Sequence, residues 1–306
     1  MSDFSRNRRD ILALTLAAAS WGVGTVVSKR ALEEIPPLTL LPIQLAASLV
    51  VLTVLIRRQG MRFRGRSGPP LLGRLGILNP GLAYALSLLG LVSISASLSV
   101  LIWAVEPLMI LALAGLVLRE RIGPGLVVLS IVAAGGMLLV IYDPASSGQW
   151  PGVALTLAGV ACCAIYTIVA RRWIGTSDST TGVVATQQAY ALAFALVVLI
   201  GAALLSGDIG LRGVTPVGWL SAAGSGALYY GAAYWFYLFG LRGVPASVAA
   251  VSFYLIPVFG VAGGIVLLGD RLEVRQWIGV AIVLAAALAV ATRPVERRSI
   301  ASQLSP

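Results

Sequence analysis

A stripe of tyrosines in the middle of an apolar stretch is the first feature of this sequence that could bind a ligand. Tyr230, Tyr234 and Tyr237 recur at positions i, i+4 and i+7, which places them on one face of a helix. Aromatic residues that anchor a helix at a membrane interface lie at the ends of an apolar stretch, not in its middle. A wall of rings with hydroxyl tips suits a ligand that is partly flat and apolar and partly polar.

A single carboxyl group lies deep inside another apolar stretch. Glu106 is the only acidic residue so placed, and Ser95, Ser99 and Trp103 precede it on the same helical face. A carboxylate there could bind a substrate ammonium group or carry a proton. It could also be a protonated, hydrogen-bonded side chain beside a kink at Pro107. The sequence leaves both interpretations open.

Other polar or aromatic residues inside apolar stretches extend the predicted binding site. Gln44 and Gln187 occupy similar offsets in the two halves of the chain, and hydrogen bonding between helices is their structural alternative. The Asn79-Pro80 step interrupts an apolar stretch, which marks either a kink or a binding position. The complete set of weaker candidates is Trp21, Gln44, Asn79, Tyr84, Tyr166, Gln187 and Phe253.

The elements that must position these residues are membrane-spanning helices. With 306 residues, 58% hydrophobic and 11% charged, and a mean hydropathy of +0.93, the chain is an integral membrane protein. Ten stretches are long and apolar enough to cross a bilayer: 10–28, 38–56, 71–91, 94–118, 123–142, 152–170, 182–205, 216–240, 246–268 and 276–292.

The arginines and the single lysine predict how the chain lies in the membrane. With the N-terminus inside, interior segments hold 17 basic residues and exterior segments hold 5, which follows the positive-inside rule. Both termini are therefore expected in the cytoplasm, with the first helix uncleaved. Because the basic residues are scattered between spans, their number does not indicate nucleic-acid binding.

Several functions would need residues that this sequence does not contain. The chain has no histidine, no metal-binding spacing and no nucleotide-binding motif, so we expect no metal, no cofactor and no use of ATP. Cys162 and Cys163 are adjacent and are interpreted as small buried residues. An intramembrane enzyme would need a pair of catalytic groups within the spans, and none is present, so we expect no enzymatic activity.

The chain is built from two related halves. Residues 76–122 share 14 identities with the residues 150 positions later, among them Tyr84 with Tyr234 and Pro107 with Pro257. Since five spans are an odd number, the second copy must be inserted upside down. The predicted fold is an all-α integral membrane protein of ten transmembrane helices, arranged as two inverted five-helix repeats around a central cavity. The repeats cover residues 1–143 and 150–293, and residues 294–306 form a cytoplasmic tail.

The sequence resembles the EamA half of the drug/metabolite transporter superfamily, in duplicate. Each copy shows a Gly-Leu start, a small-residue run with Ala-Ser, a proline about ten residues further on, and a Leu-x-(Glu/Asp)-Arg close. The first copy departs from the common Leu-Gly-Glu ending, because Arg119 replaces the glycine. The resemblance implies a transporter of a bacterial inner membrane with a central cavity, usually an exporter of amino acids or related metabolites.

These observations predict a secondary transporter that works by alternating access, with Pro107 and Pro257 as matched bending points. The resemblance implies that it exports amino acids. The tyrosine stripe and the resemblance to aromatic amino acid exporters favour aromatic substrates, with threonine-like ones also included. A carrier of cationic drugs or of nucleotide sugars is the alternative within the superfamily. The expected partners are the substrate and the lipid bilayer, and a monomer without an obligatory protein partner is consistent with the sequence.

Overall fold

The computed structural model describes residues 2–58, 70–91, 102–103, 105–120, 122–141, 150–174, 179–263, 265–266 and 274–291. The regular elements in these ranges are all helices. In the first half they are α1 (Ser2–Leu32), α2 (Pro37–Arg58), α3 (Pro70–Gly76), α4 (Ala83–Leu91), α5 (Glu106–Val117) and α6 (Pro124–Ile141). In the second half they are α7 (Trp150–Ile174), α8 (Thr180–Ser206), α9 (Pro216–Ser225), α10 (Ala233–Gly243), α11 (Ala246–Val251), α12 (Ile256–Gly263) and α13 (Val274–Ala291).

The described helices confirm an all-helical membrane protein. Five stretches are long and apolar enough to cross a bilayer, namely Arg8–Leu32, Pro37–Val54, Pro70–Gly90, Trp150–Ile174 and Thr180–Leu205. Large apolar side chains cover the outside of the bundle, and Leu204 and Leu205 of α8 are 82% and 92% exposed. Such a surface is stable in hydrocarbon, where it faces lipid tails.

Local sequence signals set several of the helix ends. The Ser179 hydroxyl accepts a hydrogen bond of 3.1 Å from the Gly182 N–H at the start of α8. At the other end of α8, Gly207 adopts the left-handed conformation with φ of 73° and its N–H bonds to the Ala203 carbonyl. Polar residues extend α1 well beyond the predicted apolar span of 10–28.

Two spans are broken by wide helical turns at equivalent positions. A π-helical turn, Ile77–Leu82, joins α3 to α4, and a second one, Gly226–Ala232, joins α9 to α10. The sequence predicted an interruption only in the first, at Asn79-Pro80, where Asn79 has the non-helical angles φ −145° and ψ 120°. The second turn contains no proline, and it lies where Gly226 contacts the backbone of α2.

The packing of the bundle repeats in pairs. Helix α1 packs against α10 and α12, and α7 packs against α4 and α5 in the same way. Helix α2 packs on the π turn 226–232, and α8 packs on the π turn 77–82. Helices α2 and α8 contact one another near the centre, and α6 and α13 form a peripheral pair. The predicted repeat limits at residues 143 and 293 and the tail 294–306 lie outside the described residues.

Candidate substrate-binding site

Nine aromatic rings meet where the two halves of the bundle face each other, and we call them the aromatic cluster. Neighbouring rings have centroids between 5.1 and 6.4 Å apart, within the range of favourable aromatic pairs. Tyr84 stacks on Trp103 at 5.6 Å and meets Tyr230 edge to face at 5.5 Å. The members are Trp21, Tyr84, Trp103, Tyr166, Tyr229, Tyr230, Tyr234, Tyr237 and Phe253.

The tyrosine stripe forms the centre of this cluster. Tyr230, Tyr234 and Tyr237 are all buried, and the π turn before α10 brings Tyr229 to the cluster as well. Tyr84 and Tyr234, which are equivalent in the two copies, both contact Tyr230. Eight of the nine rings were named from the sequence, and only Tyr229 was not named as a binding residue.

Hydrogen bonds from the tyrosine hydroxyls hold the rings to other helices. The Tyr234 hydroxyl donates to Asn79 Oδ1 at 2.6 Å, so the break in the first π turn supplies an acceptor to the cluster. Tyr237 donates to Thr167 Oγ1 at 3.0 Å. The first bond joins α10 to the first π turn and the second joins α10 to α7. The orientation of the Tyr234 and Tyr237 rings therefore depends on the positions of these segments relative to α10.

Glu106 lies beside the cluster in the first turn of α5. Its side chain is buried, and it is close enough to Tyr229, Tyr237 and Cys163 to interact with them electrostatically. The ion pairs seen among the described residues are those of Arg30 with Glu33 and Glu34, so none of them neutralises Glu106.

Trp21 of α1 contributes a second polar group to the cluster. Its ring contacts Tyr234, Tyr237 and Phe253, with centroids 5.4 to 5.5 Å away. Its indole Nε1 is buried without a hydrogen-bond acceptor among the described residues. A buried indole N–H normally finds an acceptor, so this donor is available to an acceptor group on a ligand.

The two candidate glutamines are bonded to neighbouring helices. Gln44 Nε2 donates to Ser28 at 2.9 Å and to Ser225 at 2.8 Å, linking α2 to α1 and α9. Gln187 Nε2 donates to the Leu72 carbonyl at 2.8 Å, and its Oε1 accepts from Tyr166 at 2.9 Å. Both glutamines therefore form hydrogen bonds between helices, which is the structural alternative that the sequence left open for them.

The remaining candidates divide between bending points and residues outside the described ranges. Pro107 lies in the first turn of α5, where the missing N–H costs no helical bond. A 3-10 turn, Ser252–Leu255, precedes the helix that contains Pro257. The regular helix therefore begins just before each proline. Ser95 and Ser99 lie outside the described residues.

Cys163, like Tyr229, is a residue near the site that sequence reasoning missed. It was interpreted as a small buried residue, and it is 2% exposed. Its thiol also interacts electrostatically with Glu106 and with Tyr84, Tyr230 and Tyr234. No pattern around it in the sequence signals this position, because the neighbouring groups come from α4, α5 and α10.

Ionisable and polar side chains inside a bundle of membrane-spanning helices mark substrate or ion pathways, which is typical of a membrane transporter. Residues 8–142 and 150–292 each match the EamA-like transporter family, and this chain belongs to that family. An uncharacterized transporter of Archaeoglobus fulgidus is 26% identical over 276 residues, which cover 89% of this chain and 95% of that protein. A protein of known crystal structure has the same fold with a TM-score of 0.78 at 18% identity, over 92% of this chain and 96% of that one.

Proposed function

We propose that this transporter is an amino acid exporter of a bacterial inner membrane, with aromatic amino acids as its main substrates and threonine-like ones as further substrates. The observation that carries the proposal is the buried Glu106 carboxylate beside the aromatic cluster. An aromatic amino acid has an ammonium group to pair with that carboxylate and a ring to pack among the tyrosines. Its own carboxylate is an acceptor for the indole N–H of Trp21, which has no acceptor in the described part of the chain.

The proposed architecture is ten transmembrane helices in two inverted repeats, residues 1–143 and 150–293, with both termini and the 294–306 tail in the cytoplasm. Equivalent contacts in the two halves support this architecture. The first helix of the first half, α1, packs against α10 of the second half, and the first helix of the second half, α7, packs against α4 of the first half. Each chain would contain a complete site, so a monomer would transport. Alternating access would bend the fourth and ninth spans just before Pro107 and Pro257.

Transport by the purified protein tests the proposal directly. Liposomes containing only this chain should release preloaded labelled phenylalanine, tyrosine or tryptophan faster than empty liposomes, and threonine more slowly than these. The absence of flux above empty liposomes for every amino acid would contradict the proposal. A carrier of aromatic cationic drugs is the second candidate, because Glu106 would pair with any cation, and flux of such cations without amino acid flux would favour it.

Removing one ring of the cluster should weaken transport without loss of the fold. Tyr84→Ala removes the ring that stacks on Trp103 and contacts Tyr229 and Tyr230. We expect the KM for phenylalanine to rise about 10-fold, which corresponds to the loss of roughly 1.4 kcal/mol of ring contacts. Tyr190→Ala is the matched control, since Tyr190 is 39% exposed on the outside of α8. An unchanged KM for Tyr84→Ala would assign this ring to packing alone.

A further inference from the structure

Polar contacts join the two halves at both ends of α1, the long central helix. Asp10 lies near its beginning and Glu34 lies just beyond its end. The 22 helical steps from Asp10 to Leu32 span about 33 Å at 1.5 Å per residue, slightly more than the hydrocarbon core of a bilayer. The contacts at these two ends therefore belong to opposite faces of the membrane.

At the Glu34 end, a carboxylate of the first half binds the start of α9 in the second half. Glu34 Oε2 accepts from the Thr215 N–H at 2.8 Å, and Oε1 accepts from the Thr215 hydroxyl at 3.0 Å. These two bonds, aided by Arg30, hold the pKa of Glu34 below its usual range. Nearby, the Thr39 hydroxyl donates to the Ile209 carbonyl at 2.7 Å, which is a second link between the halves.

At the Asp10 end, a carboxylate of the first half binds the start of α11 in the second half. Glu120 Oε1 accepts from the Ala246 N–H at 3.1 Å. Arg171 of α7 lies close enough to Glu120 for electrostatic interaction. The Asp10 carboxylate packs directly against Gly243, three residues before Ala246, so both carboxylates lie around the same connection between α10 and α11.

The two contacts have the same chemistry and opposite positions. In each, a glutamate that follows a span of the first half accepts the otherwise unbonded backbone N–H at the start of a helix in the second half. Trp21 of the aromatic cluster lies between them along α1, 11 residues after Asp10 and 13 before Glu34. With both contacts formed, the halves are held together at both ends of α1, and six of the nine rings of the cluster are buried.

We infer that Glu34 with Thr215 and Glu120 with Ala246 are two latches, each of which closes one face of the transporter and must open for the site to reach that face. The inference rests on the proposed alternating access, and it names the residues whose contacts break when each face opens. When the Glu120 latch breaks, α5, which carries Glu106, separates from α11 at that face. When the Glu34 latch breaks, α1 separates from α9 at the other face.

The test uses a thiol that the protein already has in the site. The chain has two cysteines. In a Cys162→Ser background, only Cys163 beside Glu106 can react with a maleimide. A membrane-impermeant maleimide is applied to either side of vesicles of known orientation, and the rate of Cys163 labelling is measured. No substrate is needed, so the result does not depend on whether amino acids are the cargo.

Loss of one latch should open one face only. Glu120→Ala should raise the labelling rate at least 5-fold from the Glu120 side, and Glu34→Ala should do so from the opposite side. Glu120→Gln and Glu34→Gln keep an acceptor oxygen and should give smaller increases at the same faces. The matched control is Glu33→Ala, because Glu33 is exposed and pairs with Arg30 of the first half. It should change neither rate.

Three results would overturn the inference. They are unchanged labelling from both sides in the alanine variants, equal increases from both sides, and an increase at the face opposite the removed latch. If an alanine variant is not recovered folded, the glutamine variant and a cysteine pair at positions 120 and 246 replace it. That pair, in the Cys162→Ser background, should stop labelling of Cys163 from the Glu120 side when oxidised. Labelling of Cys163, read by peptide mapping so that the cysteines at 120 and 246 are counted separately, should return after reduction.

Discussion

Glu106→Gln is expected to reduce transport of aromatic amino acids about 30-fold or more, measured as kcat/KM in liposomes. The carboxylate is buried beside the aromatic cluster, and the ion pairs seen among the described residues do not include it. Removing one partner from a buried charge pair costs roughly 2–5 kcal/mol, and about 1.4 kcal/mol corresponds to a factor of ten. A substrate ammonium group would lose this interaction in the glutamine variant.

Two comparisons separate binding from proton transfer at Glu106. Glu106→Asp retains the charge and should recover part of the rate. Exchange of labelled for unlabelled phenylalanine across the membrane needs substrate binding but no net proton movement. If Glu106→Gln loses both exchange and net flux, the carboxylate binds substrate. If it keeps exchange and loses only flux driven by a pH gradient, the carboxylate carries the proton. Normal transport at all pH values would exclude both roles.

Gly76→Ala is expected to destabilise the protein by about 3 kcal/mol or more, the upper end of the usual cost of overpacking. A Cβ atom at this position would lie 1.9 Å from the Gln187 backbone oxygen and 2.6 Å from its Cα. Helix α8 would have to move away from α3, which would also stretch the bond of 2.8 Å from Gln187 to the Leu72 carbonyl. The apparent melting temperature in detergent should fall by roughly 6–12 °C.

The second copy provides a parallel test of this close contact. Gly226→Ala would place a Cβ atom 2.3 Å from the Gln44 backbone oxygen, and it should be comparably destabilising. Gly201→Ala in α8 is the matched control, because a Cβ atom there has no neighbour within 4 Å in the described part of the chain. It should leave the melting temperature unchanged or raise it slightly, as alanine favours a helix. Equal melting temperatures for all three variants would show that the helices can separate at no cost.

Much of the fold could be predicted because hydropathy and helical periodicity are local properties. An apolar stretch must satisfy its backbone hydrogen bonds internally within a bilayer, so its composition alone predicts a helix. The break in the third span was predicted from Asn79-Pro80, because a proline inside a helix removes a backbone hydrogen bond. The equivalent π turn at Gly226–Ala232 was missed, because it contains no proline to mark the interruption in the sequence.

For the candidate site, the sequence by itself determined the residue types and the helical face on which they lie. Tyr230, Tyr234 and Tyr237 had to share a face because the spacing of a helix requires it. Only the tertiary structure determined which groups bond to one another. Gln44 and Gln187 bond between helices, Trp21 Nε1 has no acceptor among the described residues, and the Cys163 thiol is close enough to Glu106 for electrostatic interaction. These outcomes depend on contacts between helices that are distant in the chain, and neither composition nor spacing specifies the distance between two helices.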